Sequence, residues 1–212
     1  MRAIRNAVLA MIVAATPTFA EKLTLVALGD SLTQGYGLRP ADGFVAQLQY
    51  WLDEKGADVT VINAGVSGDT TAGGLSRLDW TLTPDVDAVI INLGGNDMLR
   101  GIDPASSRAN LDAMLTKAQS LGLPVLLVGL RAPGNYGPGF KADFDAMYPD
   151  LGAKFKVDVT DNYFIPLIDQ ATKRLSPDLM QADGIHPNAN GVTLLVQGVG
   201  PQVLDLLAKV AK

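Results

Sequence analysis

The sequence predicts an α/β fold built around a mainly parallel sheet. Short runs of Val, Ile and Leu recur along the chain, and amphipathic stretches of helical length separate them. Several runs are continuously apolar, which is typical of strands buried on both faces. With 212 residues, of which 48% are hydrophobic, the chain also has the size and composition of one folded domain.

Five strands are predicted from the apolar runs. They cover residues 23–28, 59–63, 88–93, 125–130 and, with a weaker pattern, 156–159. Open parallel sheets bind ligands outside the carboxyl ends of their strands. Glycine-rich polar segments follow each of the first four predicted strands, and we therefore expect the functional residues at this edge.

The helices predicted between the strands each carry an apolar face. These faces comprise Phe44, Leu48, Trp51 and Leu52; Leu111, Met114, Leu115 and Ala118; and Phe140, Phe144, Met147, Tyr148 and Leu151. Asp103 and Pro104 are typical of an N-cap and a first helical position. A last helix is predicted over 188–210, and we expect Gly200-Pro201 to kink or split it. We assign both tryptophans, Trp51 and Trp80, to the core.

Composition excludes several classes of function. A net charge of -5, without a basic stripe, argues against binding to nucleic acid or to anionic membrane surfaces. The absence of cysteine excludes disulfides and thiol nucleophiles, and a single histidine excludes zinc sites of the Cys or multi-His kind. A carboxylate-only Mg²⁺ or Ca²⁺ site remains open, although no EF-hand spacing occurs. If a histidine acts as a base, it is His186.

The first 20 residues have the pattern of a signal peptide. Arg2 and Arg5 precede an apolar run over 7–15, and Thr18-Phe19-Ala20 ends in a small residue suited to cleavage. The run is shorter than the about 20 residues that a spanning helix needs, although an uncleaved anchor is the alternative. We therefore predict export to the periplasm or medium, and one folded domain over 21–212 without stable membrane insertion after cleavage.

Ser31 directly follows the first predicted strand, where a sharp turn into a helix would expose its hydroxyl. The alternative is that Ser31 only caps that helix.

Asp183 and His186 lie three residues apart in a Gly/Pro loop after the last strand. A serine nucleophile needs a histidine base and an acceptor that orients the base, and this spacing lets the two side chains meet. The alternative is a structural histidine with Asp183 as a helix cap.

Gly94-Gly95-Asn96-Asp97 follows the third predicted strand. Acyl transfer needs hydrogen-bond donors aimed at the developing oxyanion, and the Asn96 amide is such a donor. A backbone N–H of Gly68, in the loop after the second strand, could be another. The alternative for this segment is an ordinary β-turn, in which Gly, Asn and Asp are all favoured.

Together, these segments resemble the signature blocks of the SGNH, or GDSL, hydrolase family. Gly29-Asp30-Ser31-Leu32 is similar to the first block, Gly68 to the second, Gly94-Gly95-Asn96-Asp97 to the third and Asp183-Gly184-Ile185-His186-Pro187 to the fifth. They occur in the family's order. Asn135-Tyr136-Gly137 and Met180-Gln181-Ala182-Asp183 look like the bacterial periplasmic branch known as thioesterase I, lysophospholipase L1 or arylesterase.

The resemblance implies a flavodoxin-like, three-layer α/β/α sandwich with a five-stranded sheet, and a hydrolase of small carboxylic esters or thioesters. It implies Ser31 as nucleophile, His186 as base and Asp183 as the residue that orients His186. The Ser31 N–H, the Gly68 N–H and the Asn96 side chain would form the oxyanion hole. No cofactor and no metal are implied.

The substrate stays open. Five apolar residues in the loops after the third and fourth strands are candidate walls for short to medium acyl chains, with loop packing as the alternative: Met98, Leu99, Ile102, Tyr136 and Pro138. Acyl transfer, carbohydrate deacetylation and a non-catalytic binding module remain alternative functions. The chain has no exposed heptads, so we expect a monomer.

Overall fold

The computed structural model describes residues 22–210, and the predicted signal peptide lies outside this range. Five strands form one sheet, namely β1 (Leu23–Gly29), β2 (Val59–Gly65), β3 (Ala88–Asn92), β4 (Val125–Val128) and β5 (Asp158–Thr160). Their order is β2-β1-β3-β4-β5, and every pairing is parallel. The predicted α/β class is therefore confirmed.

Eight α-helices occur in residues 22–210. They are α1 (Ser31–Gln34), α2 (Phe44–Glu54), α3 (Thr71–Ser76), α4 (Leu78–Thr81), α5 (Gly95–Leu99), α6 (Pro104–Ser120), α7 (Gly137–Phe155) and α8 (Ala189–Leu207). Short 3₁₀ turns cover Pro40–Asp42, Gly134–Tyr136, Ile165–Leu167 and Pro177–Leu179. As predicted, α6 begins at Pro104, and the Asp103 carboxylate caps it by accepting the Ala105 N–H at 2.9 Å.

The helices cover both faces of the sheet. From β1 the chain crosses to β2 at one edge of the sheet, and from β2 it returns past β1 to β3 on the other side. Both crossovers are right-handed but run in opposite directions. The helices of the two crossovers therefore lie on opposite faces of the sheet. On one side α2 packs against β2 and α8, and in the other layer α6 packs between α3 and α7. The result is the predicted three-layer α/β/α sandwich with flavodoxin-like strand order.

Most residues of the predicted apolar faces lie in the core, and Trp51 and Phe140 are partly buried against it. Leu111, Met114, Leu115 and Ala118 of α6 are buried, as are Phe144, Met147, Tyr148 and Leu151 of α7. All five residues of the central strand β3 are buried as well. Burying one such side chain stabilises a fold by about 1.5–3 kcal/mol, so these layers fix the strand ends firmly.

Two details of the prediction need correction. Helix α8 continues through Pro201 without splitting, and its Gly200 serves close packing, because a Cβ there would lie 2.7 Å from the Trp51 ring. Trp80 is not a core residue, since it is 86% exposed. It lies on α4, a single turn in which only Leu78 reaches the core.

Gln49 covers part of the exposed edge of β2. Its side-chain amide donates to the Val59 carbonyl at 2.9 Å and accepts the Val61 N–H at 2.8 Å, as a neighbouring strand would. Within residues 22–210, no helix is both long enough and apolar enough to cross a bilayer.

Candidate active site

The candidate site lies where the strand order reverses. From β1 the chain crosses to β2 on one side, and the next strand, β3, pairs with β1 on the other. The loops that leave β1 and β3 diverge at this point and leave a crevice at the carboxyl edge of the sheet. Ser31 follows β1 and Asn96 follows β3, so the topology brings these two segments together.

Ser31 is the first residue of α1, at a tight turn out of β1. Gly29 is required in this turn, because a Cβ there would lie 2.1 Å from Thr33 Oγ1 and 2.9 Å from the Asn92 carbonyl oxygen. Asp30 is the N-cap, since its Oδ1 accepts the Leu32 N–H at 3.0 Å. The alternative interpretation of Ser31 as the cap is therefore wrong. As the first helical residue, Ser31 has an N–H that no helical carbonyl can accept.

His186 lies between Ser31 and Asp183 and contacts both. Its Nε2 is 2.9 Å from Ser31 Oγ, and its Nδ1 is 2.7 Å from Asp183 Oδ2. Asp183 is not the cap of α8, because that role belongs to Asn188, whose side chain accepts the Gly191 N–H at 3.0 Å. The three side chains predicted to act together thus form one hydrogen-bonded row.

Asp183 is held as a carboxylate by its own loop. Its Oδ1 accepts the N–H groups of His186 at 3.0 Å and Ile185 at 2.9 Å. The backbone hydrogen bond from His186 is the largest cause that lowers the pKa of Asp183 to about 2, followed by the His186 side chain and the Ile185 N–H. Asp183 is therefore ionised at every pH at which the folded protein would ordinarily be assayed.

Asn96 lies beside the serine turn, and Asp30 fixes its amide. The Asn96 Nδ2 donates to Asp30 Oδ2 at 3.2 Å. A carboxylate only accepts hydrogen bonds, so the amide nitrogen of Asn96 must face it. Gly95 leaves room for this contact, since a Cβ there would lie 3.1 Å from Asp30 Oδ2. Nothing in the sequence pattern had assigned this role to Asp30.

Asp30 is nearly inaccessible to water, being 2% exposed. Burial is the main cause that raises the pKa of its carboxyl from 3.8 to about 6, and hydrogen bonds from Leu32 and Asn96 oppose the rise. Above pH 6 the protein therefore holds a buried negative charge directly beneath the serine turn.

Gly68 and Asp97 lie in the segments that follow β2 and β3. Gly68 has a φ of 82°, a left-handed conformation that favours glycine, and its carbonyl accepts Arg100 Nη2 at 2.8 Å. Asp97 is buried and ties the loop after β3 to α3 and α6. Its Oδ1 accepts the hydroxyls of Thr71 and Ser107 at 2.6 and 2.8 Å.

One cavity of about 690 Å³ opens onto Ser31, Gly68, Asn96 and His186. This volume lies within the roughly 300–1,000 Å³ of small-molecule sites. We call it the site cavity. Apart from these polar groups, its walls are mostly apolar.

The apolar walls differ in part from the prediction. Met98 and Leu99 line the site cavity, whereas Ile102, Tyr136 and Pro138 lie outside its lining. Tyr136 turns away because its hydroxyl donates to the Leu99 carbonyl at 3.0 Å and its ring packs against Phe140.

The remaining apolar walls were missed at the sequence level. They come from the serine turn, from the loop after β4 and from the irregular chain between β5 and α8, and comprise Leu32, Tyr36, Leu130, Ala132, Pro133, Phe164, Ile168, Leu175 and Ile185. The segment between β5 and α8 has no helical or strand periodicity, so its apolar residues carried no signal of a common surface.

The site offers no evident cation-binding group. Among residues 22–210, no group of three or more His, Asp or Glu side chains is arranged to hold a metal ion. The carboxylates at the site are each occupied by N–H donors, Asp30 by Leu32 and Asn96, and Asp183 by Ile185 and His186.

A three-layer α/β fold with a Ser–His–Asp row at the switch point has the side-chain arrangement of a serine hydrolase. Residues 27–194 match the model of the GDSL-like lipase/acylhydrolase family. The chain belongs to this family, which confirms the family predicted from the sequence blocks.

Individual relatives agree with this assignment. The chain is 40% identical over 189 residues to the esterase TesA of Pseudomonas aeruginosa, covering 89% of this chain and 91% of the relative. It is 34% identical over 185 residues to thioesterase 1/protease 1/lysophospholipase L1 of Escherichia coli K12, covering 87% and 85%. The crystal structure of the psychrotrophic esterase EstA from Pseudoalteromonas, inhibited by monoethylphosphonate, superimposes with a TM-score of 0.79 at 30% identity, covering 88% of this chain and 99% of EstA.

Proposed function

We propose that the protein hydrolyses carboxylic esters or thioesters through an acyl-enzyme formed on Ser31. The observation that carries the proposal is the row Ser31–His186–Asp183, with distances of 2.9 and 2.7 Å, at the wall of an apolar cavity. The names of the relatives, an esterase and a thioesterase/lysophospholipase, support the same class of substrate.

In the proposed reaction, Ser31 Oγ attacks the acyl carbonyl and passes its proton to His186 Nε2. Asp183 accepts the Nδ1–H of His186, keeps the ring in the reactive tautomer and stabilises the imidazolium that forms. His186 then protonates the leaving alcohol or thiol. Water repeats the sequence on the acyl-enzyme and releases the carboxylic acid.

The negative charge that develops on the carbonyl oxygen needs fixed donors. We assign this role to the N–H groups of Ser31 and Gly68 and to the Asn96 side chain, since these three residues all line the site cavity. Asn96 has two amide hydrogens, and Asp30 accepts one of them. The other is then free to donate to the oxyanion.

The decisive experiment compares the full protein with its Ser31→Ala variant on a series of p-nitrophenyl esters from acetate to palmitate. We expect Ser31→Ala to lose activity and to keep the melting curve. Ser76→Ala is a matched control, because the Ser76 hydroxyl is exposed and donates only to the Gly73 carbonyl among the described groups. Activity that survives in Ser31→Ala would refute the nucleophile, and the ester series also gives the acyl preference.

We further propose that residues 1–20 are a signal peptide and that the mature protein is exported. The support is the basic and apolar pattern of these residues described above. Mass spectrometry of the protein recovered from a bacterial host tests this, with cleavage after Ala20 as the expected result. An intact N-terminus in the cell extract would contradict it.

A further inference from the structure

Ser31 and His186 come from two distant parts of the chain, and their alignment needs a physical link. Ser31 follows β1, in the middle of the sheet, whereas His186 lies on the irregular chain between β5 and α8. The Ser31–His186 hydrogen bond of 2.9 Å is lost if either side moves by about 1 Å. Something must therefore hold the His186 loop against the serine turn.

The backbone of Gln181 closes the loop that carries His186. Its N–H donates to the His186 carbonyl at 2.7 Å, and its carbonyl accepts the Gly184 N–H at 3.0 Å. With Asp183 accepting the Ile185 and His186 N–H groups, residues 181–186 form a compact hydrogen-bonded turn.

The side chain of Gln181 joins this turn to the nucleophile. Its Nε2 donates to the Tyr36 carbonyl at 2.8 Å and to the Pro187 carbonyl at 3.0 Å. Tyr36 in turn donates its N–H to the Ser31 carbonyl at 3.1 Å. A continuous chain of hydrogen bonds therefore runs from the backbone of Ser31 through Tyr36 and Gln181 to the backbone of His186.

The surroundings allow only one orientation of the Gln181 amide. Both of its partners are carbonyls, so the nitrogen has to face them. The amide oxygen occupies the space beside Gly37, where a Cβ would lie 2.2 Å from it. Gly37 also has a φ of 73°, so only glycine readily admits this close approach.

The same link places an aromatic wall beside the imidazole. The rings of Tyr36 and His186 have centroids 4.7 Å apart and are tilted by 39°. Because Gln181 holds the Tyr36 carbonyl, it also limits where this ring can lie. A ring face beside the imidazole favours the positive charge that His186 acquires during the reaction.

We propose that Gln181 is a positioning residue that holds His186 in register with Ser31. The inference rests on the proposed function. Gln181 does not line the site cavity, so it acts on the reacting groups through Tyr36 and the His186 loop and leaves substrate binding to other residues.

The experiment compares Gln181→Ala with Gln47→Ala in the full protein. Gln47 is a close match, because its Nε2 also joins two carbonyls, those of Asp42 and Ala189, at 2.9 and 3.0 Å. Among the described groups, its side chain has no hydrogen bond to the serine turn or to residues 181–187. Gln47→Ala also loses the hydrogen bond from the Thr193 hydroxyl to Gln47 Oε1 at 2.7 Å. We therefore expect its Tm to fall at least as much as that of Gln181→Ala.

For Gln181→Ala we expect kcat on p-nitrophenyl butyrate to fall by about 10²-fold, the scale for a displacement of about 1 Å between reacting groups. We expect KM to stay within about twofold, and Gln47→Ala to keep kcat within about threefold. A kcat for Gln181→Ala within about threefold of the parent, a change confined to KM, or an equal loss of kcat in Gln47→Ala would each overturn the proposal.

Gln181→Met fills a similar volume but cannot donate the two hydrogen bonds of Gln181 Nε2. It provides a second test of the proposal if the alanine variant does not fold. If neither variant shows a cooperative melting transition, Gln181 is a folding residue and the proposal is overturned. Ser31→Ala measured alongside separates the two proposals. An active Ser31→Ala overturns the function itself, whereas an inactive one beside a fully active Gln181→Ala overturns only the role of Gln181.

Discussion

Replacing Asp30 with asparagine should stabilise the folded protein above pH 6 and lower its activity. Burial raises the pKa of Asp30 from 3.8 to about 6, so the folded protein binds this proton more tightly than the unfolded chain does. The stability that comes from this group is therefore fully present below pH 4 and is lost as the pH rises to about 6. At 1.36 kcal/mol per pKa unit, the loss amounts to about 3 kcal/mol.

The side chain introduced by Asp30→Asn has nearly the same shape without the charge. It can still cap α1 by accepting the Leu32 N–H, since Asn and Asp are equally good caps. However, the amide nitrogen of the introduced side chain would take the place of Oδ2, which in the parent accepts a hydrogen bond from Asn96 Nδ2 at 3.2 Å. The charge-assisted hydrogen bond with Asn96 is then replaced by a weaker one between two neutral amides, which offsets about 1 kcal/mol of the gain. Asn96 would rotate so that its oxygen accepts from the introduced amide nitrogen, and the same rotation removes its N–H donor from the cavity. We therefore expect kcat to fall by about 10²–10³, the scale for one oxyanion donor.

Urea denaturation of Asp30→Asn and the parent at pH 4, 6 and 8 measures the first effect. The difference in the free energy of unfolding between variant and parent should rise by about 3 kcal/mol from pH 4 to pH 8. Asp143→Asn, at an exposed position on α7, is the matched control for the removal of one carboxylate. If the difference in the free energy of unfolding for Asp30→Asn does not change with pH, burial does not raise the pKa of Asp30. An unchanged kcat at pH 8 would refute the role of Asp30 in orienting Asn96.

Two further predictions concern the oxyanion donors and the sheet edge. Asn96→Ala should lower kcat by about 10²-fold or more with little change in KM, and a loss under about threefold on p-nitrophenyl butyrate would remove Asn96 from the oxyanion hole. Gln49→Leu should lower the free energy of unfolding by about 1–3 kcal/mol, because the Val59 carbonyl and Val61 N–H lose their partner. It should also promote self-association through the exposed edge of β2. A variant that matches the parent in urea denaturation and in analytical ultracentrifugation would contradict both effects.

The fold was predictable where burial leaves a simple pattern. Strands β1, β3 and β4 lie inside the sheet and are largely buried, and their continuous Val, Ile and Leu runs gave their positions to within two residues at either end. Strand β5 gave a weaker pattern, because it is a half-buried edge strand of three residues, and it begins two residues later than predicted. Trp80 was misplaced because a single turn such as α4 has no repeating face that separates buried from exposed positions.

The candidate site was predictable only in part, for a related reason. Ser31, Asn96, Asp183 and His186 stand out because their residue types suit the chemistry and they follow strands. The cavity walls supplied by Phe164, Ile168 and Leu175 do not, because tertiary hydrogen bonds rather than periodicity set the path of that segment. One example is the Tyr163 N–H, which donates to the Gly129 carbonyl at 2.8 Å and ties the segment to the end of β4.

Asn96 and Gln181 are two side-chain amides at this site whose orientation is fixed by their neighbours. A side-chain amide can turn by half a rotation and exchange its oxygen and nitrogen at little steric cost, so an amide that must donate needs neighbours that only accept. The Asp30 carboxylate supplies this for Asn96, and two backbone carbonyls supply it for Gln181. The carboxylate carries an energetic penalty, because it is buried and charged, whereas the carbonyls carry none. We therefore expect substitutions at Asp30 to trade activity for stability, and substitutions at Gln181 to lower both.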